Sequence, residues 1–142
     1  MTMLTIDPIE MGLPKAHHYL LGAVGPRPIC FASTIDENGI PNLAPFSFFN
    51  VFSSNPPIAI FSPARSGRTG KQKDTYNNVK KVAEVVINLV DYKMVEQMSL
   101  ASSPYDPEIN EFIKSGFTPI ESENIKPLRV KESPVQMECE VV

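Results

Sequence analysis

Cysteine is scarce in this chain. Its two residues, Cys30 and Cys139, form no CxxC pair and lie too far apart to resemble a secreted disulfide framework. Reduced thiols in a cytosolic protein are the expectation. Histidine is equally sparse: His17 and His18 are adjacent, and on a strand they would point to opposite faces and could not readily share one metal. Structural or surface histidines follow, and no zinc spacing is present. Positive charge is also short, with 13 Lys and Arg against 16 Asp and Glu, a net charge of -3 and a pI near 5.4. That balance argues against nucleic-acid binding, which needs a basic face. No apolar run reaches the roughly 18 residues of a membrane span, and the N-terminus lacks a signal-peptide core. A GxSxG elbow is missing, and Ser33 and Ser47 have no sequence neighbour that marks a nucleophile. Gly22-Ala23-Val24-Gly25 is not a GxGxxG fingerprint and precedes a proline-bounded strand. The absences leave a soluble, cytoplasmic protein with no hydrolase, zinc or Rossmann site.

What is present is punctuation. Fourteen prolines and seven glycines divide 142 residues into short apolar runs, which predicts one mainly β domain over residues 1–142. A domain of that length buries roughly 68% of its unfolded surface, enough for an ordinary core. Strands are expected at 29–35, 40–44, 46–52, 58–62 and 85–90, the last almost wholly apolar and so buried on both faces. Asp36-Glu37-Asn38-Gly39 supplies turn chemistry, and Pro41 belongs at a strand start or on an edge. Val135, Met137, Cys139 and Val141 alternate with polar residues, the period of a strand with one wet face.

Three short helices are expected between these strands. Asp74 caps the first, with Val79 and Val82 inward. Asp91 caps the second, whose stripe of Met94, Val95, Met98 and Ala101 reads as core and not as a cofactor box. Asp106 caps the third, with Pro107 at its first position, Ile109, Phe112 and Ile113 on one face, and Gly116 as its stop. Residues 121–133 are polar and proline-broken, a surface connection.

Chemistry concentrates in two places. Asn42-Leu43-Ala44-Pro45-Phe46-Ser47-Phe48-Phe49-Asn50 joins small, hydroxyl and aromatic residues, and Arg65, Arg68, Lys71 and Lys73 cluster within nine positions of an otherwise acidic chain. A solvated charged face is the plain alternative for that cluster. Free N–H groups after Asp74-Thr75 would add an anion site between loop and helix. Gly67 to Gln72 is not a P-loop: only two residues separate its glycines, and Gln72 stands where a hydroxyl would hold magnesium. A flat ring bearing a phosphate suits the pair, which suggests flavin mononucleotide (FMN).

The ordered set Arg27-Pro28-Ile29, Ser33-Thr34-Ile35-Asp36 with Gly39, residues 42–50, Pro56-Pro57 and Lys73-Asp74-Thr75 with Asn78 resembles the flavin reductase-like family over roughly residues 17–142. The resemblance implies a Greek-key split β-barrel with short flanking helices, homodimeric, with FMN near the subunit interface and NADH or NADPH as electron donor. It also implies C-terminal strands beyond Val142, so the chain is expected to be C-terminally incomplete. Carried over by position, Ser33 and Thr34 lie beside the ring's polar edge, and Ala44 to Phe48 run beneath it. In that stretch Ala44 allows close approach, Phe46 or Phe48 gives apolar contact, and Ser47 reaches the ribityl chain or phosphate. Ser53 and Ser62 are further donors, and Arg65, Lys71, Lys73 and Thr75 serve the phosphate. Alternation puts Phe46, Phe48 and Phe52 on one face and Phe49 on the other, with at least two of the four only core. The implied activity is NAD(P)H-dependent flavin oxidoreduction with no side-chain catalyst; the alternative is an FMN-binding protein or incomplete paralogue without efficient turnover.

Overall fold

The computed structural model describes residues 3–66, 69–106 and 109–142. Its centre is a four-stranded antiparallel sheet in the order β2-β1-β5-β8, built from β1 (Cys30–Ile35), β2 (Pro41–Phe46), β5 (Glu84–Leu89) and β8 (Gln136–Glu140). β1 and β5 have a paired strand on each side and a hydrophobic core on each face, and Val85 to Asn88 are all buried. Pro41 opens β2, an edge strand, where its missing N–H costs no ladder bond.

β3 (Phe49–Ser54) and β4 (Pro57–Phe61) form a separate antiparallel hairpin. The sequence placed a strand over 46–52, but the chain bends at Ser47-Phe48 and the strand starts at Phe49. The bend resets the alternation. Phe46 and Phe49 therefore share one core instead of facing apart, whereas Phe52 is 65% exposed. A bulge between Val51 and Ser53 leaves Phe52 without a cross-strand partner.

Two cores lie on opposite faces of the sheet. On one, Cys30, Ala32, Phe46, Phe49, Val85 and Ile87 pack with Val79 and Phe61; on the other, Phe31, Leu43, Met94, Phe112, Phe117 and Val130 pack together. The first core receives α2 (Asp74–Val79), where Val79 packs inward and Val82 is half-buried beyond the helix end. The second receives α3 (Val95–Ala101) and α4 (Glu111–Ser115). Met94, Met98 and Ala101 are core as expected, but Val95 is exposed.

The helix ends differ from the sequence expectation in instructive ways. Asp91 does cap, accepting from the Lys93 and Met94 N–H groups at 3.0 and 3.2 Å, but the turn it starts, 92–94, is a 3-10 turn ahead of α3. Asp74 is not a cap: Lys73 holds that position without a side-chain bond, and Asp74 is the first helical residue. Asn110, not Asp106, caps α4 by accepting from the Phe112 N–H at 3.0 Å, because the helix begins later than the Asp-Pro signal suggests. Gly116 stops it at φ 76°, Phe112 is fully buried and Ile113 is 72% exposed. Pro107 and Arg68 lie outside the described residues.

Two segments were misjudged outright. α1 (Leu13–Ala23) was not foreseen, since it has no capping side chain and buries only Ala16. It carries His17 and His18 on a helix, not a strand. Residues 121–133 are more than a surface connection: β6 (Pro119–Ile120) pairs with β7 (Arg129–Val130), and Pro127 and Val130 are fully buried. Asn88 binds this segment to the sheet, donating to the Phe31 carbonyl and accepting from the Val130 N–H, both at 3.0 Å.

Candidate functional site

The cationic loop, α2 and the β2–β3 bend meet on the face of the first core. Lys73 precedes α2, and its ammonium sits 4.9 Å from the centre of the Phe46 ring. Lys73 as a residue is exposed, but the loss of water around its ammonium beside Phe46 pulls its pKa below the ordinary lysine value. None of the described ion pairs involves Lys73, Lys71 or Arg65. A partly desolvated cation over an aromatic ring, with no carboxylate to compensate it, is chemically suited to an anion joined to an apolar ring system. The Gly70 N–H donates to Ser66 O at 2.8 Å and the Ser66 N–H to Lys71 O at 2.9 Å. Gly70 takes φ +68°, and Arg65 donates to its carbonyl at 3.2 Å. Arg65 and Lys71 remain exposed beside Lys73 in sequence. The cations, and not the helix dipole, carry this end: α2 has six residues and an acidic residue in its first turn.

The expected ring residues divide. Ala44 and Phe46 share the Lys73 face, as their spacing of two along β2 requires. Ser47 accepts from Arg27 Nε at 3.3 Å, and the same guanidinium donates to the Leu21 carbonyl at 2.7 Å and to the Val24 carbonyl, tying the end of α1 to the bend. Phe48 meets the His17 ring edge-on at 5.7 Å, and its carbonyl accepts from the Ser62 N–H at 2.9 Å. Ser62 is exposed beside the bend. Ser53 is remote in the hairpin, where its hydroxyl accepts from the Asn55 N–H in the turn.

Ser33 and Thr34 are both fully buried, but successive strand residues point to opposite faces. Thr34 lies on the α2 side. The Ser33 side chain lies on the other, so only its backbone is available to the Lys73 face. Among the described residues, Ser33 Oγ is the buried side-chain oxygen without a hydrogen-bond partner.

Four polar residues that composition does not flag as a unit form a buried network. Asn42 Nδ2 donates to Thr34 Oγ1 at 3.2 Å and to Thr75 Oγ1 at 2.9 Å, and Asn78 Nδ2 donates to Thr34 Oγ1 at 3.2 Å. Asn42 and Asn78 stood inside quoted motifs, yet only the β1–β2 register, with Thr34 opposite Asn42, brings them together. A cavity of about 180 Å³ on the outer side of this network is lined by Asp36, Glu37, Asp74, Glu111 and Asn77. Its carboxylates make it unsuited to a phosphate.

Glu111 in that cavity accepts from the Leu43 N–H at 3.2 Å, and burial pushes its carboxyl pKa up, with the Asp74 charge adding to the rise. The native state then binds its proton more tightly than the unfolded chain does. Its stability contribution is present at low pH and falls as pH rises from the ordinary glutamate value through the raised one. Glu111→Gln, which keeps an oxygen for Leu43, is expected to flatten the urea-unfolding pH profile across that window; an unchanged slope would assign it elsewhere.

Comparison with known proteins bears on the family and the fold. The flavin reductase like domain matches residues 23–142. The chain belongs to the flavin reductase-like family. An uncharacterized protein of Aquifex aeolicus is 44% identical over 123 residues, covering 86% of this chain and 62% of that protein. Nitrilotriacetate monooxygenase component B from Bacillus cereus superposes at a TM-score of 0.88 with 35% identity, over 99% of this chain and 68% of that one. A split-barrel protein from Shewanella frigidimarina superposes at 0.77 with 24% identity, over 95% and 65% of the two chains, a likeness of fold alone. The expected mainly β split barrel with short helices is thus the fold of this flavin reductase-like chain. It spans less than two thirds of the first curated relatives' length. Among the described residues no helix is long and apolar enough to cross a membrane.

Proposed function

We propose that this flavin reductase-like chain binds FMN and belongs to an NAD(P)H-dependent flavin oxidoreductase that works as a cytoplasmic homodimer. The observation that carries the reading is Lys73, a partly desolvated ammonium over Phe46 with no ion-pair partner among the described residues. The phosphate is assigned to Lys73, assisted by Lys71 and Arg65, and the ring to Phe46 and Ala44. When bound, FMN supplies the hydride-accepting ring, and the protein supplies binding, orientation and electrostatics. Phe46 packs in the first core beneath the cation and half-buried Ala44 lies on the same face, while the Arg27 guanidinium holds Ser47 and the bend in place. No side chain is assigned a proton-transfer step. Val51, Phe52, Ile58 and Ile60 are exposed apolar side chains on the β3–β4 hairpin, which supports a second copy packing there.

The test is spectroscopic. Protein loaded with FMN is expected to lose its yellow absorbance anaerobically on addition of NADH or NADPH. Colour that persists with both nucleotides would leave a flavin holder without turnover. Protein that takes up no FMN would remove the reading altogether.

A further inference from the structure

We propose that Asn42 is the positioning residue for the phosphate end of the site, acting through Thr75 on Lys73. The proposal rests on the reading that Lys73 meets a flavin phosphate. A six-residue helix cannot hold itself, since helix nucleation is unfavourable and most helical stability comes from packing. α2 is seated by Val79 in the apolar core and by two buried polar residues, Thr75 and Asn78. Both meet the sheet through Asn42 and Thr34: Asn42 reaches Thr75 at 2.9 Å, and Asn78 and Asn42 each reach Thr34 at 3.2 Å. Lys73 is fixed to the same turn, because its carbonyl accepts from the Tyr76 and Asn77 N–H groups at 3.0 and 3.2 Å. The backbone of Lys73 is therefore tied to β2 through the Asn42 amide, beside the Asn78–Thr34 bond and the Val79 packing that tie the rest of α2 to the sheet.

Phe46 lies on β2 as well, four residues after Asn42. Cation and ring are thus both indexed to one strand: Phe46 directly, and Lys73 through Thr75 and Asn42. In this arrangement Thr75 is the joint between strand and helix, its hydroxyl 1% exposed as a residue and committed to Asn42.

The experiment measures FMN and riboflavin dissociation constants for the wild type, Asn42→Ala, Lys73→Ala and the double variant. Asn42→Ala is expected to weaken FMN about 10-fold while changing riboflavin by less than about 2-fold, the scale of one net hydrogen bond. In the Lys73→Ala background the same substitution is expected to leave the FMN-to-riboflavin ratio unchanged. An Asn42 effect equal for both ligands, or one that persists undiminished without Lys73, overturns the proposal. Equal losses for both ligands in Lys73→Ala alone would instead overturn the phosphate assignment, so the two failures are distinct. Should Asn42→Ala not fold, the near-isosteric Thr75→Val, which removes the hydroxyl that accepts from Asn42, carries the same ratio test.

Discussion

Lys73→Ala is expected to weaken FMN binding by about 10- to 100-fold, the range of a hydrogen bond to a charged partner, and riboflavin far less. Although the residue as a whole is exposed, loss of water around the Lys73 ammonium disfavours its charged form. Phe46 offsets part of it through its ring face, a contribution of about 0.5–2 kcal/mol. A phosphate supplies the remainder as a charge-assisted bond, and riboflavin, lacking phosphate, cannot. Parallel titrations of the two ligands by flavin fluorescence decide the matter. Equal loss would move the phosphate away from Lys73 and leave Arg65 or Lys71 to carry it.

Phe31→Ala is expected to cost about 3–5 kcal/mol of stability, read as a fall in the urea midpoint. Phe31 is fully buried at the centre of the second core, meets the Phe117 ring at 5.2 Å in an edge-to-face arrangement, and offers its carbonyl to Asn88. Domains of this kind have about 5–15 kcal/mol in total, so the variant approaches the limit of folding. Ile113→Ala is the control: the sequence pattern grouped Ile113 with Phe112, but it is 72% exposed and its loss is expected to stay within about 1 kcal/mol. A large effect at Ile113 would contradict the orientation of α4.

These residues show what the sequence could and could not reveal. The buried run of β5 was legible because packing on both faces of the sheet imposes continuous apolarity, and the edge position of Pro41 follows from its missing donor. The bend at Ser47-Phe48 was not legible. Alternation assumes an unbroken strand, and one change of direction moves Phe49 into the company of Phe46. α1 left no signal because it has neither a side-chain cap nor a buried stripe. Capping was misread where several acceptors compete locally: Asp106 and Asn110 both precede α4, and only the tertiary position of Phe112 selects between them.

For the candidate site, the sequence picked out the segments but not how their side chains divide between the faces of the sheet. Lys73, Phe46 and Ala44 share a face, as a ring-and-phosphate reading requires. Ser33 and Thr34, adjacent in sequence, serve opposite faces, and Ser53 belongs to a turn. Thr75 reads as a ligand in a linear motif but is buried against Asn42, a contact across 33 residues that no local pattern encodes.

The break that separates β3–β4 from the main sheet also bears on energetics. Among the described residues no strand pairing joins the hairpin to the four-stranded sheet, and the two meet through the packing of Phe46, Phe49 and Phe61. Such a unit opens at lower free energy than the strands behind it. Phe46 is packed in the seam beneath Lys73, so a ligand held at Lys73 also clamps the hairpin. Part of its intrinsic affinity is then consumed in ordering β3 and β4, and the apparent binding constant becomes a measure of how closed the empty protein already is.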